Sequence, residues 1–511
     1  MVKCIARSVF FHTFALVFVC DSGSVGRALA SQAEGRGFES RLSLLSFLYY
    51  VMLITTLFIV ALLVFALLVM STEKINHLNR AAVAMCCGVV VWVVYMLNAG
   101  NYIRLVHPEE YSFFLSGTTS STDSVKFFVA ENIMVRYVEE ACSVILFLIA
   151  TNTIVEVLHN NGVFDSLVNW LRMRSSRRFL WILSLLTFAI SANVDNLTTV
   201  VLMMGIVAQI VSSHSQRIVY GSVILVSAML GGCFSVIGDM TSLMLWVRGY
   251  VTPTNYYAGL FLPAVSSLCV FNLLMSRRLQ GRVEVVSRFN KYSGDDSYLA
   301  WWQKILLLIV GIGGLWFIPT FHFITKLPPF LGALCVLALM WIIEGLCNLE
   351  RNGNVLFVQR HYFRNTELIG IRMILYFLGI SLCIGALTEC GALGWIGGQL
   401  EDSFHNIYIY GAITGLISSL LDNVPVMMTG MNMFPLVSYT EVPSDFVVDG
   451  AYWQLLSYSC AMGGSLFFIS TLAGQAVLQV ENMKFRWMLK HYSWRVLCAW
   501  IVGMVVFWLT H

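Results

Sequence analysis

The chain has 511 residues, of which 58% are hydrophobic and only 12% charged, and its mean hydropathy is +0.76. Soluble domains carry about 25% charged residues, so the bilayer is the solvent for most of this chain, which argues against a soluble enzyme. The net charge of +3 names no partner, and no basic run with interleaved aromatics points to nucleic acid.

Residues 1–51 form an extension. The run "FFHTFALVFV" (10–19) is too short to span a membrane but has the length of a signal-peptide core. "GSVGRALASQAEGRGFESR" (23–41) resembles the conceptual translation of a transfer-RNA gene. A misassigned start, with Met52 as the true first residue, is therefore expected, and a short leader is the alternative.

From Met52 onward, apolar spans are expected near 46–70, 79–97, 137–158, 219–247, 257–276, 303–323, 329–347, 367–388 and 492–510. Each is about long enough for a ~30 Å hydrocarbon layer. Three more regions, 179–212, 405–436 and 452–480, are apolar but interrupted by polar residues, and 219–247 shares the interruption. These spans divide the chain into a first half, 52–276, a cytoplasmic linker, 277–302, and a second half, 303–511. Loops after alternate spans hold twenty Lys and Arg residues, Lys74 and Arg80 among them, against five on the other side. The positive-inside rule makes the richer side cytoplasmic. Alternation then requires 179–212 to enter and leave on the cytoplasmic side and 405–436 on the outer side. Reporter fusions at Arg282 and Arg486 should therefore read cytoplasmic, and fusions at Gly117 and Asp445 external. An external reading at Arg282 would overturn this topology.

The interruptions repeat. "NVDNLTT" (193–199) precedes "GGCFSVIGDMTS" (231–242), and "LDNVPVMMTG" (421–430) precedes "GGSLFFISTLAG" (463–474). From Asp to Gly-Gly is 36 residues in the first unit and 41 in the second, and each Asp has a serine four residues before it, Ser191 and Ser418. Two such units starting from opposite faces form an inverted repeat, about 137–276 and 367–511. Matched interruptions of this kind point to a transporter's binding site. Irregular backbone at membrane depth survives only inside protein or beside a wet cavity. Broken helices free carbonyl and N–H groups, Asp adds charge, and Asn and Thr add neutral oxygens, a donor set that suits sodium or another small hard cation. No Arg or Lys stands at the breaks, which argues against an anionic substrate.

Each candidate has a structural alternative. An Asp at a hairpin tip can be a helix cap, but intramembrane carboxylates at two matching positions favour function. Asp239 is weaker, because Thr471 stands at its counterpart. Glu140 and Glu156 are weaker candidates for the site, since solvated helix ends explain them as well. The thirteen cysteines lack metal-ligand spacing, so neither a disulfide framework nor a zinc site is expected, and no cofactor is called for. The methionines of "VMMTGMNM" (426–433) lack accompanying histidines and read as packing rather than a copper site.

Six segments in order, "LFLIATNTIVEVLHNNGVFD" (146–165), "AISANVDNLTTVVLMM" (189–204), "GGCFSVIGDMTSLMLW" (231–246), "YFLGISLCIGAL" (376–387), "LDNVPVMM" (421–428) and "GGSLFFISTLAG" (463–474), resemble NhaD-type sodium/proton antiporters of the ion-transporter superfamily. The resemblance runs from about Met52 to the C-terminus. It implies an all-α polytopic membrane protein, an inverted-repeat transporter with two helical hairpins and two broken helices, working as a homodimer among membrane lipid. It also implies exchange of sodium, with lithium as an alternative, for protons, and a multi-pass place in a bacterial inner membrane. Carried over by motif, Ser191, Asp195, Asn196, Thr198 and Thr199 form the first tip and Asp422 and Asn423 the second, with Asp195 and Asp422 as sodium ligands. Asp239 stands at the first break, and Ser465 and Ser470 near the second. Four positions depart from the family pattern: Met229 replaces an Asn, Val236 a Pro, and Ile469-Ser470-Thr471 stands for Ile-Gly-Ser. Rival readings are an organic-anion or arsenite carrier of the same superfamily, expected to carry Ser-Asn-Thr at the tips, and an intramembrane aspartyl protease, which also needs two Asp.

Overall fold

The computed structural model describes residues 37–116, 120–164, 171, 175–279, 281–284, 299–352, 366–437, 445–481, 483 and 485–511. The extension up to residue 36, most of the 277–302 linker and Gly117 lie outside them. The described residues contain helices and no strand. They fall into two compact bodies, divided after Phe58 within the first long helix, Gly37–Ser71, and both repeats lie in the larger one.

Among the described residues, nine helices are long and apolar enough to cross a membrane: Tyr50–Ser71, Arg80–Leu97, Thr122–Asn160, His214–Phe234, Pro253–Ser276, Trp301–Thr325, Pro329–Cys347, Ile371–Glu389 and Arg486–Thr510. The protein is a polytopic helical membrane protein. Hydrophobic run length alone locates these spans, since a helix rises about 1.5 Å per residue and must match the hydrocarbon thickness. Two differences stand out. The span expected at 219–247 stops at Phe234 and resumes as Met240–Val247. The third span is 39 residues long, far beyond one bilayer crossing, because a π-helical segment, Val129–Met134, joins it to a further helical segment, Thr122–Phe128. Two short helices, Ala99–Val106 and Pro108–Leu115, precede it. They are too short and too mixed in composition to leave a hydropathy signal.

The interrupted regions are two hairpins and two broken helices. The first hairpin is Ser176–Ser191 and Asn196–Ile210, and the second is Ile407–Ser418 and Asn423–Met433. No arm exceeds 16 residues, about 24 Å, so each arm falls short of the bilayer and the tip stays inside. The broken helices are His214–Phe234 with Met240–Val247, and Ala451–Leu466 with Leu472–Glu481. The first part of each is buried almost throughout. Trp316, Phe317 and Trp341, on peripheral spans, are exposed as lipid-facing side chains would be.

Hairpin and broken helix dock in the same way in both units. Ser191 Oγ donates to the Ala228 carbonyl, three residues before Gly231, and Ser418 Oγ donates to the Cys460 carbonyl, three residues before Gly463, at 2.8 and 2.9 Å. A methyl on Gly231 would collide with the carbonyl of Phe188, three residues before Ser191. A methyl on Gly463 would collide with that of Gly415, three residues before Ser418. The glycines are there because another backbone occupies the side-chain volume, which is how small residues serve helix pairs in lipid.

Two further contacts position the site. Helix Arg80–Leu97 packs closely on Thr366–Glu389 through Gly88 and Gly379, and Trp92 Nε1 donates to the Leu382 carbonyl at 3.0 Å. Buried Glu481, at the end of the second broken helix, accepts from Arg217 Nε at 2.9 Å and lies 3.0 Å from His214 Nδ1. That pairing ties the two broken helices together at one end.

Candidate functional site

Each hairpin tip and each break ends in the N-terminus of a helix, and the first residues of all four helices border one cavity of about 40 Å³. Space of this size holds a few water-sized occupants. Asp195, Asn196 and Leu197 come from the first tip, and Asp422, Asn423 and Val424 from the second. Asp239 and Met240 come from the first break, and Thr471, Leu472 and Ala473 from the second. Met229, Met373 and Tyr376 close the wall.

The residue before each helix explains why the chain turns there. A helix N-terminus exposes unpaired N–H groups and partial positive charge, and a short acidic or hydroxyl side chain satisfies both. Asp195 Oδ2 accepts from the Leu197 and Thr198 N–H groups at 3.1 and 3.4 Å. Asp239 Oδ1 accepts from the Met240 N–H at 2.9 Å, and its Oδ2 from the Thr241 hydroxyl at 2.6 Å. Thr471 Oγ1 accepts from the Gly474 N–H at 3.1 Å. Asp422 caps nothing with its side chain. Its Oδ2 accepts instead from the Tyr376 hydroxyl at 2.9 Å, and Arg80 Nη1 lies 3.9 Å from the same oxygen. Asn423 Nδ2 reaches Asp239 Oδ2 at 3.4 Å, so the tip of one unit touches the break of the other.

The remaining candidates stand behind this wall or away from it. Ser191 donates to Asn196 Oδ1 as well as to Ala228, so it fixes the Asn196 amide, whose Nδ2 turns to Met229 Sδ at 3.5 Å. Met229, where the family pattern has Asn, offers that amide a weak sulfur acceptor instead of an oxygen. Thr198 Oγ1 donates to Asn152 Oδ1 and Thr199 Oγ1 to the Val194 carbonyl. Ser470 Oγ spans the second break to the Gly464 carbonyl at 2.6 Å. Ser465 Oγ bonds back within its own helix. Glu140 pairs with Arg248 at 2.6 Å beside a separate, smaller cavity. Glu156 is half-buried and does not line the main cavity. Among the described residues, no group of three Asp, Glu, His or Cys side chains is gathered closely enough to hold a metal ion, so the carboxylates surround a space rather than form a finished ligand cage.

Arg80 and Tyr376 escaped the sequence reading. Arg80 counted there as a loop residue, and the breaks as free of Arg and Lys. In the structure its side chain is 7% exposed and reaches the second tip. The available signal was an Arg at the first position of an apolar span. Tyr376 stood within a segment already singled out.

The family described as "Citrate transporter" (CitMHS) matches residues 65–447. Among curated relatives, "Sodium/proton antiporter 1" of Arabidopsis thaliana is 29% identical over 73% of this chain, a match spanning 62% of that protein. "Sodium/proton antiporter 2" of the same plant is 27% identical over 80% of this chain and 97% of its own length. "Na(+)/H(+) antiporter NhaD" of Vibrio cholerae is 26% identical over 76% of this chain and 81% of its own length.

Proposed function

The chain belongs to the citrate transporter (CitMHS) family, and we propose that within it this protein works as an NhaD-type secondary active transporter exchanging sodium for protons. One observation carries the proposal: four helix N-termini meet at one cavity, and three of the four residues that precede them are Asp. Four N-termini with neutral caps would present about half a positive charge each and suit an anion. Three carboxylates reverse that sign. Among the described residues, the one cation beside these carboxylates, Arg80, stands behind the wall against Asp422, which leaves Asp195 and Asp239 with only neutral hydrogen-bond partners. The cavity therefore suits a small cation better than the organic anions of the family's other carriers.

A proton and a sodium ion compete for the same carboxylate oxygens, and that competition couples their movements. The site lies between two similar units, and alternating access follows if the hairpin and broken-helix pairs move against the remaining spans. We assign the transport repeats to about 137–276 and 367–511. A homodimer in lipid and a place in an energised membrane, such as a bacterial inner membrane, complete the proposal. The relatives come from both a plant and a bacterium.

The test is flux in proteoliposomes. Sodium gradients should drive proton movement, and by mass action exchange should strengthen as pH rises and fewer protons compete. Citrate or arsenite should neither be carried nor compete. Citrate uptake without proton-coupled sodium movement would replace this reading with the anion-carrier one.

A further inference from the structure

The position of Arg80 separates the two Asp-Asn tips chemically. The repeat pairs Asp195 with Asp422, and each tip has a partner from a long span earlier in the chain: Asn152 of Val135–Asn160 for Thr198, and Tyr376 of Thr366–Glu389 for Asp422. Among the described residues, only the second tip has a cation beside it. The Arg80 guanidinium lies 3.9 Å from Asp422 Oδ2, and Glu73 Oε2 lies 2.8 Å from Arg80 Nε. Among the described residues, no basic side chain stands within ion-pair distance of Asp195 or Asp239.

The placement is built in. Arg80 is the first residue of its helix and Asn79 caps that helix, its Oδ1 accepting from the Ala81 N–H at 2.9 Å. The same helix is locked to Thr366–Glu389, which carries Tyr376, by the Gly88–Gly379 approach and the Trp92–Leu382 hydrogen bond. Arg80 and Tyr376 thus reach Asp422 from two helices held in fixed register. The guanidinium attracts Asp422 whenever that carboxylate is ionised, and a proton on Asp422 releases it. At 3.9 Å the contact is close but short of a bidentate salt bridge, and the Glu73 carboxylate draws the same group the other way.

We propose that Arg80 is the resident counter-cation of the cavity: it occupies Asp422 when sodium is absent, and sodium gains Asp422 only by displacing the guanidinium toward Glu73. Arg80 is then a specificity-determining residue. It lowers affinity for sodium and limits the benefit of binding to an ion small enough to approach Asp422 beside it, while Glu73 tunes the competition. The inference rests on the sodium/proton reading above.

The experiment measures sodium dependence in two ways at alkaline pH, where protons compete least. One is sodium-driven proton flux in proteoliposomes, and the other is the rise in melting temperature of purified protein with added sodium. Arg80→Gln should lower the half-saturating sodium concentration about fivefold or more, the factor that two unit charges at this distance give even with the screening of bulk water, while kcat changes less. Arg80→Lys, which restores a cation, should move it back toward the wild-type value. Glu73→Gln should shift it the opposite way, to higher sodium, because the guanidinium loses its second partner. An unchanged or raised sodium requirement in folded Arg80→Gln protein overturns the proposal. If that variant does not fold, Glu73→Gln decides: a raised requirement supports the proposal, and an unchanged or lowered one overturns it. Wild-type protein that melts higher with sodium but exchanges no protons would defeat the antiporter reading and leave the Arg80 competition testable by melting alone.

Discussion

Replacing Asp195 by Asn should abolish sodium-driven proton movement without unfolding the protein. Asn keeps the shape of the side chain and one oxygen to accept from the Leu197 and Thr198 N–H groups, and Asn caps helices as well as Asp does. A neutral amide also costs less to bury than a carboxylate. The charge that holds sodium and the oxygen that carries a proton both disappear. Protein levels and melting should stay near wild type, while exchange in inverted vesicles should vanish between mildly acidic and alkaline pH. Asp422→Asn should abolish exchange too, with a different cost. Tyr376 can still donate to the amide oxygen, but Arg80 keeps only Glu73 as a charged partner, so a loss on the order of 1 kcal/mol in stability is expected, less than the 3–5 kcal/mol of a fully orphaned buried charge. Retained exchange in both variants, at normal expression, would reduce the two Asp-Asn pairs to structural roles.

The second large effect belongs to the glycines. Gly231→Ala and Gly463→Ala should each greatly reduce folded protein. The added methyl meets the Phe188 or Gly415 carbonyl, and neither backbone can yield without separating the hairpin from the broken helix. Overpacking of this sort typically costs about 1–3 kcal/mol, and a clash against backbone on both sides of a helix pair should lie at the upper end. Gly205→Ala is the control. It lies in helix Asn196–Ile210 with nothing within 4 Å of the added carbon, and helix propensity predicts a neutral or slightly stabilising change. Size-exclusion profiles and melting curves of the three variants give the answer. Wild-type melting in Gly463→Ala would mean that the second hairpin does not dock as described.

Much of this architecture is written locally in the chain. The length of an apolar run states whether it can cross a bilayer, and that signal placed each of the nine spans among the described residues, but not the break after Phe234 or the extension back to Thr122. A polar cluster inside such a run states that the helix must stop there, and the two Asp-Asn tips, the Gly-Gly pairs and the serines four residues before each Asp were legible because each acts within a few residues of itself. Hydropathy carries no information, however, about which face of a helix turns toward which neighbour. Tertiary packing alone brought four helix N-termini to one cavity, set Asn423 of one unit against Asp239 of the other, diverted Glu140 to Arg248, and turned Ser191 and Ser470 from the cavity to backbone carbonyls. It also carried Arg80 from an apparent loop to the side of Asp422. The reason is physical: a side chain's partner depends on helix rotation and on close approaches between segments hundreds of residues apart, and those are decided by packing, where a single glycine pair such as Gly88 and Gly379 sets the register for everything its helices carry.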